Sequence, residues 1–226
     1  MAEMDRKLAS RIVQVFFSLI LMAAAFFIAA GTLDVPRAWL HFALYFVYLL
    51  CNFAVFSIFS PEIIRERSEI KQGTKPWELV FAVLYFVSVL LIYAAAGLDA
   101  RFGWSYLDLG FCALGVLLFA ASAAFITWAM VSNRFFDLMV GNQEGRTAAT
   151  GGPYAIIRHP GYAGMIVMYA SAPLILGSAV SLIPAAALAI AFIWRTGMED
   201  RALQKELAGY AEYAKKSRYR LIPGVW

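Results

Sequence analysis

Hydrophobic and polar positions follow one another along this chain in long blocks, not at the short periods of a soluble fold. Apolar runs of about twenty residues extend roughly from Ile12 to Gly31, Ala38 to Phe59, Trp77 to Gly97 and Leu107 to Val131. Each is long enough for a helix to cross a hydrocarbon layer of ~30 Å. Two later runs, Tyr162–Ile175 and Leu182–Trp194, are shorter and are interrupted by Pro173, Gly177 and Pro184. Such interruptions are tolerated at membrane depth mainly where backbone lines a protein cavity. The pattern predicts an all-α, polytopic membrane helix bundle of five to six spans, the last two forming a broken hairpin. From Glu199 a polar helix is expected. Leu203, Leu207, Tyr210 and Ala214 put one apolar stripe on it, suited either to the membrane surface or to covering a site. The chain thus divides into a four-span bundle, residues 1–131, and a loop, hairpin and tail, residues 132–226, integrated as one domain.

Composition supports the membrane reading: 62% of the 226 residues are hydrophobic and 15% charged, with a mean hydropathy of +0.69. The first span starts close to Met1, but it is long, lacks a small-residue cleavage site and is followed by more spans. It reads as a retained helix and not as a signal peptide. The formal charge of +4 would suit nucleic acid in a soluble protein; here it sets topology and attracts anionic lipid. Seventeen of the nineteen cations fall in the N-terminal arm, the second and fourth connections and the tail, leaving Arg37 and Arg101 on the other side. The asymmetry predicts a multi-pass protein of the cell (inner) membrane with both termini cytoplasmic.

Several polar residues have ordinary readings. Cys51 and Cys112 lie within apolar runs, and with only His41 and His159 as histidines no metal site is indicated. His41, Trp39, Tyr45 and Tyr48 read as packing or interface residues. Asp108, at the edge of a span, reads as a helix cap. The mixed-sign segment from Ser60 to Pro76 reads as a solvated face or a short interfacial helix.

The segment Gly151-Gly152-Pro153-Tyr154-Ala155-Ile156-Ile157-Arg158-His159-Pro160-Gly161-Tyr162-Ala163-Gly164 differs from everything around it. Gly151-Gly152-Pro153 forces a break. Pro160 pushes His159 out of the α region and suits the first turn of a new helix. Arg158 and His159 are thereby placed at a helix mouth, where free N–H groups and the dipole favour anions. If the hairpin enters the membrane and returns, Glu199 and Asp200 come back to the same surface as Arg158 and His159. Cations, carboxylates and the aromatics Tyr154, Tyr162, Tyr210 and Tyr213 would then share one interfacial site. Taken singly, the carboxylates also suit the first turn of a helix and the tyrosines an interfacial belt.

Arg158-His159-Pro160-x-Tyr162-x-Gly164, preceded by Gly152-Pro153-Tyr154, resembles the signature of the isoprenylcysteine carboxyl methyltransferase superfamily, and membrane phospholipid methyltransferases carry a similar pattern. The acid pair some forty residues later, the Tyr210-x-x-Tyr213 spacing and the Arg220-Leu-Ile-Pro ending match in order over about residues 130–226. Upstream, Ser60-Pro61-Glu62 and Arg67 are similar to bacterial members. The resemblance implies transfer of a methyl group from S-adenosylmethionine to a membrane-embedded, lipid-like acceptor, with membrane lipids as surroundings and no nucleic-acid partner. It further implies that Tyr154, His159, Pro160, Tyr162, Gly164, Glu199 and Asp200 line the cofactor pocket, and that Arg158 is the catalytic or substrate-positioning arginine. Asp200 stands where the family usually has a second glutamate. Two other classes stay open at this stage. Membrane sterol and steroid reductases, which bind NADPH, share a related Arg-His-x-x-Tyr-x-Gly motif but are longer. The other is a non-catalytic membrane scaffold or a transporter; against a transporter stands the scarcity of ionisable residues in the first four spans.

Overall fold

The computed structural model describes residues 2–59, 75–133 and 147–226. The Ser60-Pro61-Glu62 and Arg67 resemblance, most of the mixed-sign connection and the cations Arg134 and Arg146 lie outside these residues. Seven α-helices and a 3₁₀ turn make up the described chain: α1 Ala2–Ala30, α2 Pro36–Phe59, α3 Pro76–Phe102, α4 Leu109–Val131, the turn Gly152–Ala155, α5 Pro160–Leu176, α6 Leu182–Glu206 and α7 Tyr210–Lys216. Five of the helices are long and apolar enough to cross a membrane, and α5 is a shorter apolar helix.

Local chemistry sets the boundaries. Proline opens α2, α3 and α5, where its missing N–H costs nothing. Asp108 caps α4 as expected, accepting from the backbone N–H groups of Gly110 (2.8 Å) and Phe111 (3.2 Å). Helix α3 continues beyond the expected loop at Asp99 and ends at Phe102, where Gly103 takes a left-handed conformation and bonds back to the Asp99 carbonyl. This fits the usual glycine stop. The buried Asp99 carboxylate accepts from the Ser105 amide (2.7 Å) and the Ser178 hydroxyl (2.5 Å). It thereby ties the α3–α4 connection to the α5–α6 turn.

The hairpin differs from its sequence reading. Pro173 lies inside α5 without ending it, and Gly177 (φ 83°) is the stop. Pro184 sits in the first turn of α6, where proline is accommodated. No polar helix begins at Glu199: α6 runs unbroken through Arg195, Glu199 and Asp200 to Glu206. The expected tail helix instead divides at Gly209 (φ 78°), and Tyr210 opens α7.

Packing places α5 at the centre. It makes its most extensive contact with α4 and also meets α2, α3 and α6. Phe26, Phe42, Ile92, Leu188 and Phe192 form the main core between α1, α2, α3 and α6, while Phe119, Ile126, Met168 and Ile175 join α4 to α5. Gly115 and Gly164 make that α4–α5 approach possible. A Cβ on Gly164 would lie 2.5 Å from Ile126, and one on Gly115 would lie 2.9 Å from the backbone of Ile175. His41 is packed, as expected, with Nε2 3.0 Å from the Tyr93 hydroxyl. Large apolar side chains such as Ile28, Leu117 and Ile183 point outward, as a lipid-facing surface requires.

Candidate active site

The site forms where the C-terminal end of α4, the N-terminus of α5, the C-terminal third of α6, α7 and the tail come together. Its entry turn depends on Gly152, whose φ is +58° and where a Cβ would lie 2.5 Å from the Ser132 hydroxyl. Both constraints exclude a larger residue. The turn delivers Tyr154, whose hydroxyl accepts from the Asn133 amide (3.2 Å). His159 caps α5 from outside the helical region (φ −125°, ψ 60°), ahead of Pro160. The motif backbone is strapped to the tail: Arg158 N–H donates to the Tyr219 carbonyl (2.9 Å) and His159 N–H to the Arg220 carbonyl (3.0 Å).

Two carboxylates adjacent in sequence do different things. Neighbouring helical residues point about 100° apart, so Glu199 borders a cleft while Asp200 turns into the protein. Asp200 is fully buried. Its oxygens accept from Arg158 Nε (2.7 Å) and Nη2 (3.1 Å), Arg220 Nε (2.9 Å), Gln204 (2.8 Å) and the Tyr210 hydroxyl (3.1 Å). His159 Nε2 stands 3.5 Å from the same carboxylate. Arg158 completes its bonding through Nη1, which donates to the Ser217 and Arg218 carbonyls at 2.8 Å each. The guanidinium therefore joins the motif loop, α6 and the tail, and breaking such a buried pair by removing one partner typically costs ~3–5 kcal/mol.

Glu199 belongs to a second network. Tyr162 donates to Glu199 Oε2 at 2.6 Å and accepts from Arg195 Nε at 2.9 Å. Arg195 itself lies 3.8 Å from Glu199. Its guanidinium is buried over the rings of Phe81 (4.5 Å), Tyr162 (5.4 Å) and Trp77 (5.7 Å), an aromatic setting that stabilises a desolvated cation by ~2 kcal/mol. The His159 ring stacks on Tyr162 at 5.8 Å with an interplanar angle of 7°, so the two networks share a wall.

Between them lies a cleft with about 570 Å³ of non-atom space, lined by Tyr154, Arg158, His159, Tyr162, Glu199 and Tyr210 among others. Of the residues singled out from the sequence, Pro160, Gly164 and Asp200 do not line it. Pro160 starts α5, Gly164 seats α5 on α4, and Asp200 holds the framework. Tyr213 donates to the Tyr154 carbonyl at 2.7 Å, and burial raises its hydroxyl pKa to about 12. Burial, followed by the adjacent Asp200 charge, raises that of Tyr210 as well. Arg195 and Arg220 were missed as site residues. Arg195 is four residues before Glu199, the spacing of a helical ion pair, and that was the available signal. For Arg220 the available signal was its place in the Arg220-Leu-Ile-Pro ending that the resemblance includes.

Residues 111–209 match the family described as phospholipid methyltransferase. The matched span contains the whole motif segment and the α6 carboxylates, in agreement with the resemblance read from the sequence, and it supports a membrane methyltransferase. No curated protein matches the chain.

Proposed function

From the family match of residues 111–209 we propose that this chain transfers a methyl group from S-adenosylmethionine to a lipid-like acceptor at the membrane surface. One observation carries the reading: a cleft bordered by one carboxylate and several aromatic faces, opening at the end of the membrane hairpin. Tyr162 and Glu199 lie fourteen and seventeen residues from the hairpin ends Leu176 and Leu182. At 1.5 Å per residue that is about 21–26 Å, slightly less than the hydrocarbon thickness of ~30 Å. An acceptor in the bilayer would reach this depth without leaving its leaflet.

The residues fit the cofactor. Glu199 offers a carboxylate to ribose hydroxyls or to the methionine ammonium, and the faces of Tyr154, Tyr162 and Tyr210 suit a sulfonium through cation–π attraction. When bound, the cofactor supplies an electrophilic methyl group for in-line displacement. The protein's part is to orient the partners and exclude water. Arg195 holds the Tyr162 hydroxyl so that its proton points at Glu199, which fixes the carboxylate against the cleft. Arg158 has four N–H groups bonded to Asp200 and the tail, so its role is to hold the cleft walls together, with one face bordering the cleft. His159, beside the cleft and 3.5 Å from Tyr210, is the residue placed to accept a proton from an amine acceptor. The cation asymmetry supports a cytoplasmic position for this end of the bundle.

The test is transfer of radiolabelled methyl from S-adenosylmethionine into organic-extractable product, using purified protein reconstituted in native membrane lipid. Label in the lipid fraction that is lost in Glu199→Gln supports the reading. Cofactor binding with label only in water-soluble product would move the acceptor out of the lipid class.

A further inference from the structure

A second concavity lies on the α2–α4 side of the bundle, separate from the polar cleft. Helix α4 gives most of its contact to α5 and little to α2. The gap between α2 and α4 is a groove with about 1140 Å³ of non-atom space, lined almost wholly by apolar side chains. Val47, Cys51 and Val55 form one bank; Ala120, Ala124 and Val131 form the other. The alanines keep the α4 bank low.

We infer that this groove holds the hydrocarbon chain of the acceptor lipid. Continuity with the site is the first argument. Thr127, Trp128 and Val131 line the groove, and Asn133, two residues on, lines the polar cleft and bonds to Tyr154. A chain lying along α4 therefore brings its polar end over the last turn of that helix to the cleft. The second argument is a polar pair in an otherwise apolar wall. Thr127 Oγ1 is 3.1 Å from Asn52 Oδ1, and Asn52 Nδ2 donates to the Tyr48 carbonyl at 3.0 Å. An amide nitrogen carries two donors, so Asn52 is able to serve the linkage oxygen of an acyl lipid as well. The pair lies about one turn from the end of α4, where the linkage region of a lipid would come to rest.

The word acceptor rests on the methyltransferase reading; the groove as a chain-binding site does not. The experiment uses full-length protein in vesicles containing a phosphatidylethanolamine with a diazirine in its acyl chain, with crosslinks mapped by mass spectrometry. Labelling concentrated on Val47, Cys51 and Ala124 is expected, and it should be lost in Ala120→Phe and Ala124→Phe. Both positions are exposed, so each variant should keep its melting temperature and its affinity for S-adenosylmethionine. Excluding even two methylenes weakens binding about tenfold at ~0.8 kcal/mol per CH₂, so KM for a lipid acceptor should rise by at least that factor. Even labelling around the bundle, including Ile28, Leu117 and Ile183, would mean ordinary annular lipid and overturn the inference. Crosslinks between two copies at the groove would overturn it in favour of a dimer interface. Absence of S-adenosylmethionine binding by the native protein would overturn the methyltransferase reading while leaving the labelling pattern intact, so the two failures are distinguishable.

Discussion

At the scale of single residues, the site turns on the different directions of Glu199 and Asp200. Arg158→Lys tests the framework role, because an ammonium cannot reproduce the fork that grips Asp200 while also reaching two tail carbonyls. We expect a lower melting temperature and cofactor affinity weakened by more than about tenfold, a loss of ~1.4 kcal/mol or more. A variant with normal stability and normal affinity but no turnover would instead make Arg158 purely catalytic. Tyr162→Phe removes the hydroxyl between Arg195 and Glu199, leaving a buried acceptor and a buried donor without their shared partner. The expected cost is ~1–3 kcal/mol, read as weaker S-adenosylmethionine binding in calorimetry with the fold retained by circular dichroism. Unchanged affinity would disconnect this network from the cofactor. The motif residues themselves were legible in the sequence, since Gly152, His159-Pro160 and Tyr162 follow from backbone chemistry and a recognisable spacing. The roles of Asp200 and Arg220 were not. Adjacent acids look like a pair on paper, and only the 100° step of the helix separates a cleft-facing carboxylate from a buried one.

At the scale of elements, the apolar runs gave the spans because membrane crossing is set by length and hydropathy. The continuity of α6 was hidden. Its sequence turns polar at Arg195, which reads as a boundary, yet Phe81, Trp77 and Tyr162 accept that cation and let the helix continue as a buried element. The small-residue contact of α5 on α4 makes a direct prediction. Gly164→Val would force a branched side chain into Ile126, overpacking that costs ~1–3 kcal/mol, and should lower the thermal midpoint in detergent; an unchanged midpoint would show that the interface yields. α7 gives a pH prediction. Tyr213 and Tyr210 have hydroxyl pKa values raised by burial, so the folded state favours their protonated forms. Their contribution to stability is complete below pH ~10, the ordinary tyrosine value. The share of Tyr213 falls as the pH rises through about 12, and that of Tyr210 is lost only at higher pH. The thermal midpoint measured across this range should be flat with respect to these two groups up to pH ~10 and decline above it, with an earlier decline contradicting the buried Tyr213–Tyr154 link.

At the scale of the whole molecule, α2, α3, α4 and α6 pack around α5 while α1 packs on α3 and α2, and the hairpin of α5 and α6 carries a polar cleft at its end. The tail closes that cleft from behind through Asp200, and the gap between α2 and α4 opens toward lipid. In the proposed reaction this arrangement would keep the polar reactant apart from the apolar one until both reach the end of α4. The most direct measurement of the central claim is calorimetric titration of the detergent-purified protein with S-adenosylmethionine and S-adenosylhomocysteine, with NADPH alongside and Glu199→Ala as the comparison. Saturable binding of both sulfur ligands by the native protein, weakened at least tenfold (~1.4 kcal/mol) in Glu199→Ala and absent for NADPH, is the predicted result. Binding of NADPH alone, or sulfur-ligand binding indifferent to Glu199, would contradict the account.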